Sequence, residues 1–256
     1  VTNKKAKGGK GSLVAIVSGT KSTEVITVLK KIPIDRRDTV SEVTLDMSNA
    51  MDAIITGSFP KVAIVTDRFH VQQLVSEAVQ EMRILFRKKA IKEESKAILR
   101  ARKKKKIYKP FYYENDDTKK QLLARSRYLL FKSESKWTEK QKQRAAILFR
   151  EFPQLHHAYN LSMLFRSWYE HNTNKQQAKE GLQKWYQKVE EENIESFLVA
   201  AESIKAYEDT ILNYFNNRST NASAESFNAK LKGFRTLVRG VRDVKFFLFR
   251  VAKLYG

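Results

Sequence analysis

The stretch VTLDMSNAMDAIITGSFPKVAIVTDRFH, residues 43–70, decides how the first part of this chain folds. It contains two short apolar runs rich in β-branched residues, 43–45 and 61–66, and each run is followed directly by an aspartate, Asp46 or Asp67. The segment between the runs places apolar side chains on one face at helical spacing. A strand, a helix and a second strand in this order predict a βαβ unit with parallel pairing.

The rest of the chain is predicted to be mostly helical. Residues 13–17 form a further β-branched run that ends at a Ser-Gly turn, and we predict a strand there. Beyond His70 the apolar residues keep helical spacing almost to the end of the chain. The predicted fold class is therefore α/β, with a long all-α insertion, and the predicted parts are residues 1–82 (sheet domain), 83–215 (insertion) and 216–256 (C-terminal helices of the sheet domain).

Composition limits the classes of function. The 256 residues include 49 Lys+Arg and 28 Asp+Glu, for a net charge of +21, while a hydrophobic fraction of 42% excludes a disordered basic tail. Cysteine is absent, which excludes disulfides, thiolate zinc sites and cysteine nucleophiles. No run reaches the roughly 18 apolar residues that a membrane span needs. We expect a soluble, intracellular protein that binds a polyanion, with nucleic acid as the leading candidate.

Two aspartates after the strands are candidates for chemistry. Ligands bind at the carboxyl ends of strands in open α/β sheets, so Asp46 is predicted either to reach into a crevice or to cap the next helix, and position alone slightly favours the cap. Asp67 and His70 lie three residues apart and can hydrogen-bond across one turn. We interpret that pair as support for the corner between strand and helix rather than as catalytic groups.

A third acidic residue, Glu225, lies far along the chain in a helix predicted to begin near Asn221. Asn228 and Lys232 share its polar face, and the opposite face is apolar. Taken alone, Glu225 is typical of a solvated surface. Taken with Asp46, it suggests carboxylates from distant segments that meet on a cationic surface, which is what phosphoryl transfer with two metal ions requires.

Basic and aromatic residues supply candidate contacts to DNA. The densest basic run is either a solvated helical face or a phosphate contact, and the cations that follow Glu225 are the firmer candidates. Trp137 either packs in a helical core, which is the commoner case, or stacks on DNA. The candidate DNA-binding residues are Lys103, Lys104, Lys105, Lys106, Trp137, Asn228, Lys230, Lys232, Arg235 and Arg239.

The order and spacing of these motifs resemble those of the DDE transposases of bacterial insertion sequences. Residues 43–68, with the DRFH motif at 67–70, resemble the branch that has a long all-helical insertion and an Asp-or-Cys-x-x-His motif after its second catalytic aspartate. Residues 217–234 resemble the stretch that bears this family's catalytic glutamate. Residues 136–138 and 152–164 resemble its insertion, so the similarity covers essentially the whole chain.

The resemblance implies a ribonuclease-H-like mixed sheet with flanking helices. It implies that Asp46 and Glu225 are catalytic residues and metal ligands, with two Mg²⁺ or Mn²⁺ ions, and that Asp67 and His70 are the supporting motif. The implied activity is DNA cleavage and strand transfer at insertion-sequence ends, by a homo-oligomer that binds double-stranded element ends and target DNA in the bacterial cytoplasm.

One feature of the family has no counterpart in the sequence. The family's first aspartate lies on the first strand, but no aspartate precedes Asp35, and both Asp35 and Asp38 fall in a polar loop. We therefore expect the first aspartate upstream of Val1, and we expect the chain as given to be inactive alone. Two alternatives stay open: a non-catalytic, basic, helical DNA-binding module, and a structure-selective nuclease of the same fold.

Overall fold

The protein forms two compact units. Unit 1 joins Val1–His70 to Asp209–Gly256, and unit 2 is Val71–Glu208. The computed structural model describes residues 1–17, 19–237 and 243–256. Within these ranges, no helix has both the length and the apolar character needed to cross a membrane.

The first part of unit 1 forms the predicted βαβ unit. Its elements in chain order are α1 (Ser22–Leu29), α2 (Ile34–Arg37), β1 (Glu42–Leu45), α3 (Asn49–Ser58) and β2 (Ala63–Thr66). The two strands pair in parallel, with Glu42 opposite Ala63 and Leu45 opposite Thr66. This register brings the residues that follow both strands to the same edge of the sheet.

A small apolar core holds the βαβ unit together. It is formed by buried side chains from α1, β1 and α3 and from the residue after α3: Leu29, Leu45, Ile54, Ile55 and Phe59. Burying side chains of this size stabilises a fold by about 1.5–3 kcal/mol each. Gly57 lets α1 and α3 approach closely, since a Cβ there would lie 3.1 Å from the Ile26 Cδ1 atom.

The strand predicted at residues 13–17 is wrong. Leu13 makes a single antiparallel bridge with Thr2, and residues 14–17 form no regular element. The backbone N–H of Val14 donates to the Val1 carbonyl at 3.0 Å, so the segment is paired with the start of the chain. In the described residues the sheet has two strands, β1 and β2, and a larger ribonuclease-H-like sheet remains a proposal.

Unit 2 is all-helical, as the sequence predicts. Every residue of Val71–Glu208 lies in a helix, a turn or a loop. The helices are α4 (Arg68–Lys103, which begins just before the unit), α5 (Lys119–Arg125), α6 (Glu139–Glu151), α7 (Pro153–His171), α8 (Lys175–Glu192) and α9 (Glu195–Ala206).

Local sequence explains where these helices begin. Thr118 and Gln121 form a capping box at the start of α5, and Thr138 and Gln141 form another at the start of α6. Pro153 occupies the first position of α7, where its missing N–H costs nothing. Each of these helices then turns an apolar face to the core of unit 2, which explains the prediction's success here.

The C-terminal part of unit 1 returns to the strands. Its helices are α10 (Glu208–Leu212, which begins one residue before this part), α11 (Tyr214–Asn217), α12 (Ala222–Leu237) and α13 (Val244–Tyr255). The Asn213 side chain donates to the Ile64 carbonyl at 2.8 Å, and the Asn217 side chain donates to Glu42 at 3.0 Å. These bonds connect the return segment to β2 and to the start of β1.

Candidate active site

Asp46 and Asp67 lie together at the carboxyl edge of the sheet. Asp46 follows β1 directly and Asp67 follows β2, and the Asp67 N–H donates to the Leu45 carbonyl at 2.8 Å. The two carboxylates differ in environment: the Asp67 side chain is 2% exposed, whereas the Asp46 side chain is 51% exposed. Asp46 is thus the carboxylate that can receive a ligand from solution.

His70 connects the two aspartates. Helix α4 starts at Arg68, so His70 lies in its first turn, three residues after Asp67. Its Nδ1 atom is 2.9 Å from Asp46 Oδ1 and 3.2 Å from Asp67 Oδ2. Because both neighbours are carboxylate oxygens, we assign the proton to Nδ1, which then donates to both. The predicted Asp67–His70 pair is therefore present, and it holds Asp46 as well.

Asn221 completes the cluster and was not predicted as a site residue. Its backbone N–H donates to Asp67 Oδ1 at 3.0 Å, and its side-chain Nδ2 donates to Asp46 Oδ1 at 3.0 Å. The sequence placed Asn221 at the start of a helix on the face of Glu225, which was the available signal. A residue at the start of a helix is typically a cap, so the local pattern does not predict the contact of Asn221 with the strand edge.

Asp46 bonds to neighbouring side chains and is not the N-cap residue of α3. Its Oδ1 atom faces His70 and Asn221, and Ser48 is the residue at the N-cap of α3. Three hydrogen-bonded groups from β1, α4 and the start of α12 thus meet at one point. Such convergence fixes the carboxylate in one orientation, which a solvated surface aspartate does not have.

The cluster has the composition of a metal site. Asp46, Asp67 and His70 each offer one ligand atom, and these atoms all lie within 4.8 Å of one another. Carboxylate oxygen suits Mg²⁺ and Mn²⁺. Both oxygens of the buried Asp67 already accept hydrogen bonds, and His70 uses Nδ1 as a donor, so Asp46 is the member best placed to ligate a hard cation.

Glu225 lies on α12, one helical turn beyond Asn221. Its side chain is exposed, and its backbone N–H donates to the Asn221 carbonyl at 2.9 Å. Residues four apart on a helix have Cβ atoms about 6 Å apart, so Glu225 lies within a turn of the residue that contacts Asp46. The compact group of three ligand atoms found in the described residues does not include Glu225.

Asp35 and Asp38 lie away from this cluster. Asp35 is exposed in α2, and Asp38, just after α2, accepts a hydrogen bond from Lys61 at 2.6 Å. Neither belongs to the Asp46–Asp67–His70 group.

The basic residues predicted to contact DNA are exposed wherever the structure describes them. The run Lys103, Lys104, Lys105 and Lys106 lies at and just after the end of α4 in unit 2. Along α12 in unit 1, the exposed candidates are Asn228, Lys230, Lys232 and Arg235. Arg239 falls outside the described residues.

Trp137 has the packed position that the sequence favours. It is 8% exposed, and its indole N–H donates to the Leu129 carbonyl at 2.9 Å. Its ring lies against Tyr159 and Phe149, with centroids 5.4 and 6.2 Å away. Stacking on DNA would require this ring to leave the core of unit 2.

Comparison with known proteins identifies the family. A family model for DDE transposases of the ISL3 type, described as "Transposase", matches residues 1–251. Comparisons with curated proteins and with solved structures gave no significant match. The family match spans nearly the whole chain, including both strands, the Asp46–Asp67–His70 cluster and α12. The chain belongs to the ISL3 family of DDE transposases.

Proposed function

We propose that this chain is the catalytic domain of a transposase that carries out metal-dependent DNA cleavage and strand transfer at the ends of an insertion sequence. Family membership and the net charge of +21 support DNA as the substrate. The observation that carries the proposal is the half-exposed Asp46 carboxylate, held in place by His70 and Asn221 at the end of β1. A carboxylate fixed in this way at a strand edge is suited to hold a cation against a scissile phosphate.

In this proposal the three supporting groups have separate roles. Asp67 is buried and acts as the acceptor that orients His70 and the backbone of Asn221. His70 passes that orientation on to Asp46 through its Nδ1–H. Asn221 connects the sheet edge to α12 and so determines the position of Glu225. These three groups thus position the metal ligands Asp46 and Glu225 without contacting the substrate.

Asp46 and Glu225 would hold two Mg²⁺ or Mn²⁺ ions. Such ions, when bound, activate the attacking oxygen and stabilise the leaving oxygen in an in-line displacement on phosphate. The chain's own contribution is to fix the carboxylates and to bring in DNA through its exposed cations, including those on α12. We further propose a ribonuclease-H-like arrangement for unit 1 and a homo-oligomer on DNA.

The test is strand cleavage by the full-length protein with Asp46→Asn. We expect cleavage and joining of DNA that carries the element's ends to fall at least about 100-fold, the loss typical when one charge-stabilising group is removed from an active site. Binding of the same DNA in the absence of metal should stay within about twofold of the parent protein, since the substitution removes a ligand for the cation and not a contact to DNA.

Asp35→Asn is the matched control, because it removes the same charge from an exposed site in unit 1. Unchanged cleavage by Asp46→Asn would refute the proposal. Cut but never joined DNA from the parent protein would instead indicate a structure-selective nuclease.

A further inference from the structure

A pocket of unit 1 lies between the N-terminal loop, which contributes Lys4, Lys7 and Gly8, and the first turns of α12. Its volume is about 620 Å³. Its polar lining is formed by three lysines, two serines and one glycine: Lys4, Lys7, Gly8, Ser223, Ser226 and Lys230. Among the residues that the structure describes, no acidic side chain lines it. Of the lining residues, only Lys230 was expected from the sequence to have any role in binding.

The loop that forms one wall is held in place on both sides. The Lys230 ammonium donates to the Gly8 carbonyl at 2.8 Å and lies 5.4 Å from the centre of the Tyr255 ring. On the other side, the Lys4 ammonium donates to the Thr44 hydroxyl of β1. Gly8 has φ +75°, a conformation that favours glycine, so the chain can turn at this point. The wall is therefore a built feature and not a frayed end.

The pocket floor is apolar and its rim is cationic. Phe227 is 2% exposed and packs edge-on against Tyr255 at 5.1 Å between centroids. Partial burial lowers the pKa of Lys4, although Glu42, whose carboxylate lies 3.7 Å away, opposes the shift. An anion in the pocket would favour the charged form of this lysine and so offset the cost of its desolvation.

Hydroxyl and helix groups complete the chemistry of an anion site. Ser223 lies in the first turn of α12, where backbone N–H groups without a partner in the helix carry partial positive charge, and Ser226 lies in the next turn. Ammonium groups, hydroxyls and a helix N-terminus around one cavity match a tetrahedral oxyanion with several acceptor oxygens. A phosphate group has this chemistry.

We propose that this pocket binds a backbone phosphate of DNA and thereby fixes the strand beside Asp46. Lys4, which lines the pocket, donates to the Thr44 hydroxyl, and Thr44 lies two residues before Asp46, about 7 Å along the strand direction, so the bound phosphate is a neighbour of the acidic cluster. The choice of DNA as the source of the phosphate rests on the proposed function. The binding itself needs neither a metal nor any step of the reaction.

The first experiment compares Lys7→Gln with Lys5→Gln. Lys5 is exposed two positions away in the same loop but does not line the pocket, so it is the matched control. Binding of a labelled DNA duplex is measured by fluorescence anisotropy in EDTA across a range of salt concentrations. Loss of one phosphate contact should lower the slope of log K against log salt by about 0.9, which is about an eightfold loss of affinity at 0.1 M salt relative to 1 M.

A second pair of variants tests the pocket by repulsion. Ser226→Asp places a carboxylate on the pocket rim, whereas Ala229→Asp places the same charge on an exposed part of α12 that does not line it. We expect Ser226→Asp to weaken DNA binding more than Ala229→Asp. Circular dichroism of each variant verifies that it is folded. One pair removes a positive charge and the other adds a negative charge, so if a variant of one pair fails to fold, the other pair still tests the pocket.

Two results would overturn the inference. One is that Lys7→Gln and Ser226→Asp change affinity and salt slope no more than their controls. The other is that inorganic phosphate stabilises the parent protein against heat and these variants abolish that stabilisation, while their DNA binding is unchanged. The pocket would then bind a free anion and not a phosphate of DNA. Failure of the proposed function would look different: DNA cleavage would survive Asp46→Asn, whereas these binding measurements would be unaffected.

Discussion

Removing the buried carboxylate of Asp67 should loosen the end of the sheet by a predictable amount. Asp67 accepts hydrogen bonds from the Asn221 N–H at 3.0 Å and from His70 Nδ1 at 3.2 Å. Hydrogen bonds to a charged group contribute about 1.5–3 kcal/mol each, so Asp67→Ala should destabilise this part of unit 1 by about 3–6 kcal/mol. Catalysis should be impaired as well. Without Asp67 the orientation of His70 is no longer fixed, so His70 no longer holds Asp46 in place.

Asp67→Asn separates orientation from stability. The amide oxygen can still accept from the Asn221 N–H, but the amide nitrogen now faces His70 Nδ1 and can only donate to it. His70 must then carry its proton on Nε2, and Nδ1 stops donating to Asp46. We expect a smaller stability loss of about 1.5–3 kcal/mol, for one charge-assisted bond, together with a change of tautomer at His70.

Hydrogen–deuterium exchange measures the stability loss in the right place. For Asp67→Ala, amide protection in β1 and at the start of α12 should fall by about 100-fold or more, since each factor of ten corresponds to about 1.4 kcal/mol. Nitrogen-15 shifts of the imidazole report the His70 tautomer in Asp67→Asn. All three tryptophans lie in unit 2, so their fluorescence verifies that this unit is still folded.

Asp35→Ala is the control, since Asp35 is an exposed carboxylate in the same unit. Unchanged protection in Asp67→Ala, or a His70 that keeps its proton on Nδ1 in Asp67→Asn, would refute the reasoning that Asp67 orients the cluster.

Three further predictions concern unit 2. Asp117→Ala should destabilise it by about 3–5 kcal/mol, because the fully buried carboxylate pairs with Arg144 at 2.9 Å, and a loss below 1 kcal/mol in urea unfolding followed by tryptophan fluorescence would contradict this. Burial and the neighbouring glutamate raise the pKa of Tyr113 to about 12. The stability that Tyr113 contributes is therefore complete below pH 10 and is lost as pH rises from 10 to 12. Tyr113→Phe should flatten the profile of unfolding free energy against pH in this range, and an unchanged profile would argue against the assignment. Gly181→Ala should lower the melting temperature, since its Cβ would lie 2.8 Å from the Trp168 ring and overpacking costs about 1–3 kcal/mol; equal melting temperatures would show that the ring can move aside.

The sequence predicts the βαβ unit because its signals are local. The β-branched runs before Asp46 and Asp67 favour strands, and the helical spacing between them favours a helix, so all of these signals agree on a βαβ unit. The parallel register follows from that order, and it brings the two aspartates to one edge. The Asp67–His70 contact was predictable for the same reason, because residues three apart at the start of a helix are neighbours.

Contacts made by distant segments could not be predicted in the same way. The run at 13–17 has strand propensity, but its backbone pairs with the first residues of the chain, and propensity does not identify a partner. Asn221 contacts Asp46 across 175 positions of sequence, which no local pattern encodes. The pocket beside α12 likewise depends on a Gly-rich loop that sequence alone would leave unstructured.

Iron-mediated cleavage of the protein backbone tests the central claim most directly. Fe²⁺ replaces Mg²⁺ or Mn²⁺ at a carboxylate site and, with ascorbate and peroxide, cuts the chain near the bound ion. If Asp46 and Glu225 hold the same metal centre, the full-length protein should be cut near residue 46 and near residue 225. Excess Mg²⁺ and the Asp46→Asn substitution should suppress both cuts together. Cuts near only one of these residues, or cuts that survive Asp46→Asn, would contradict the account.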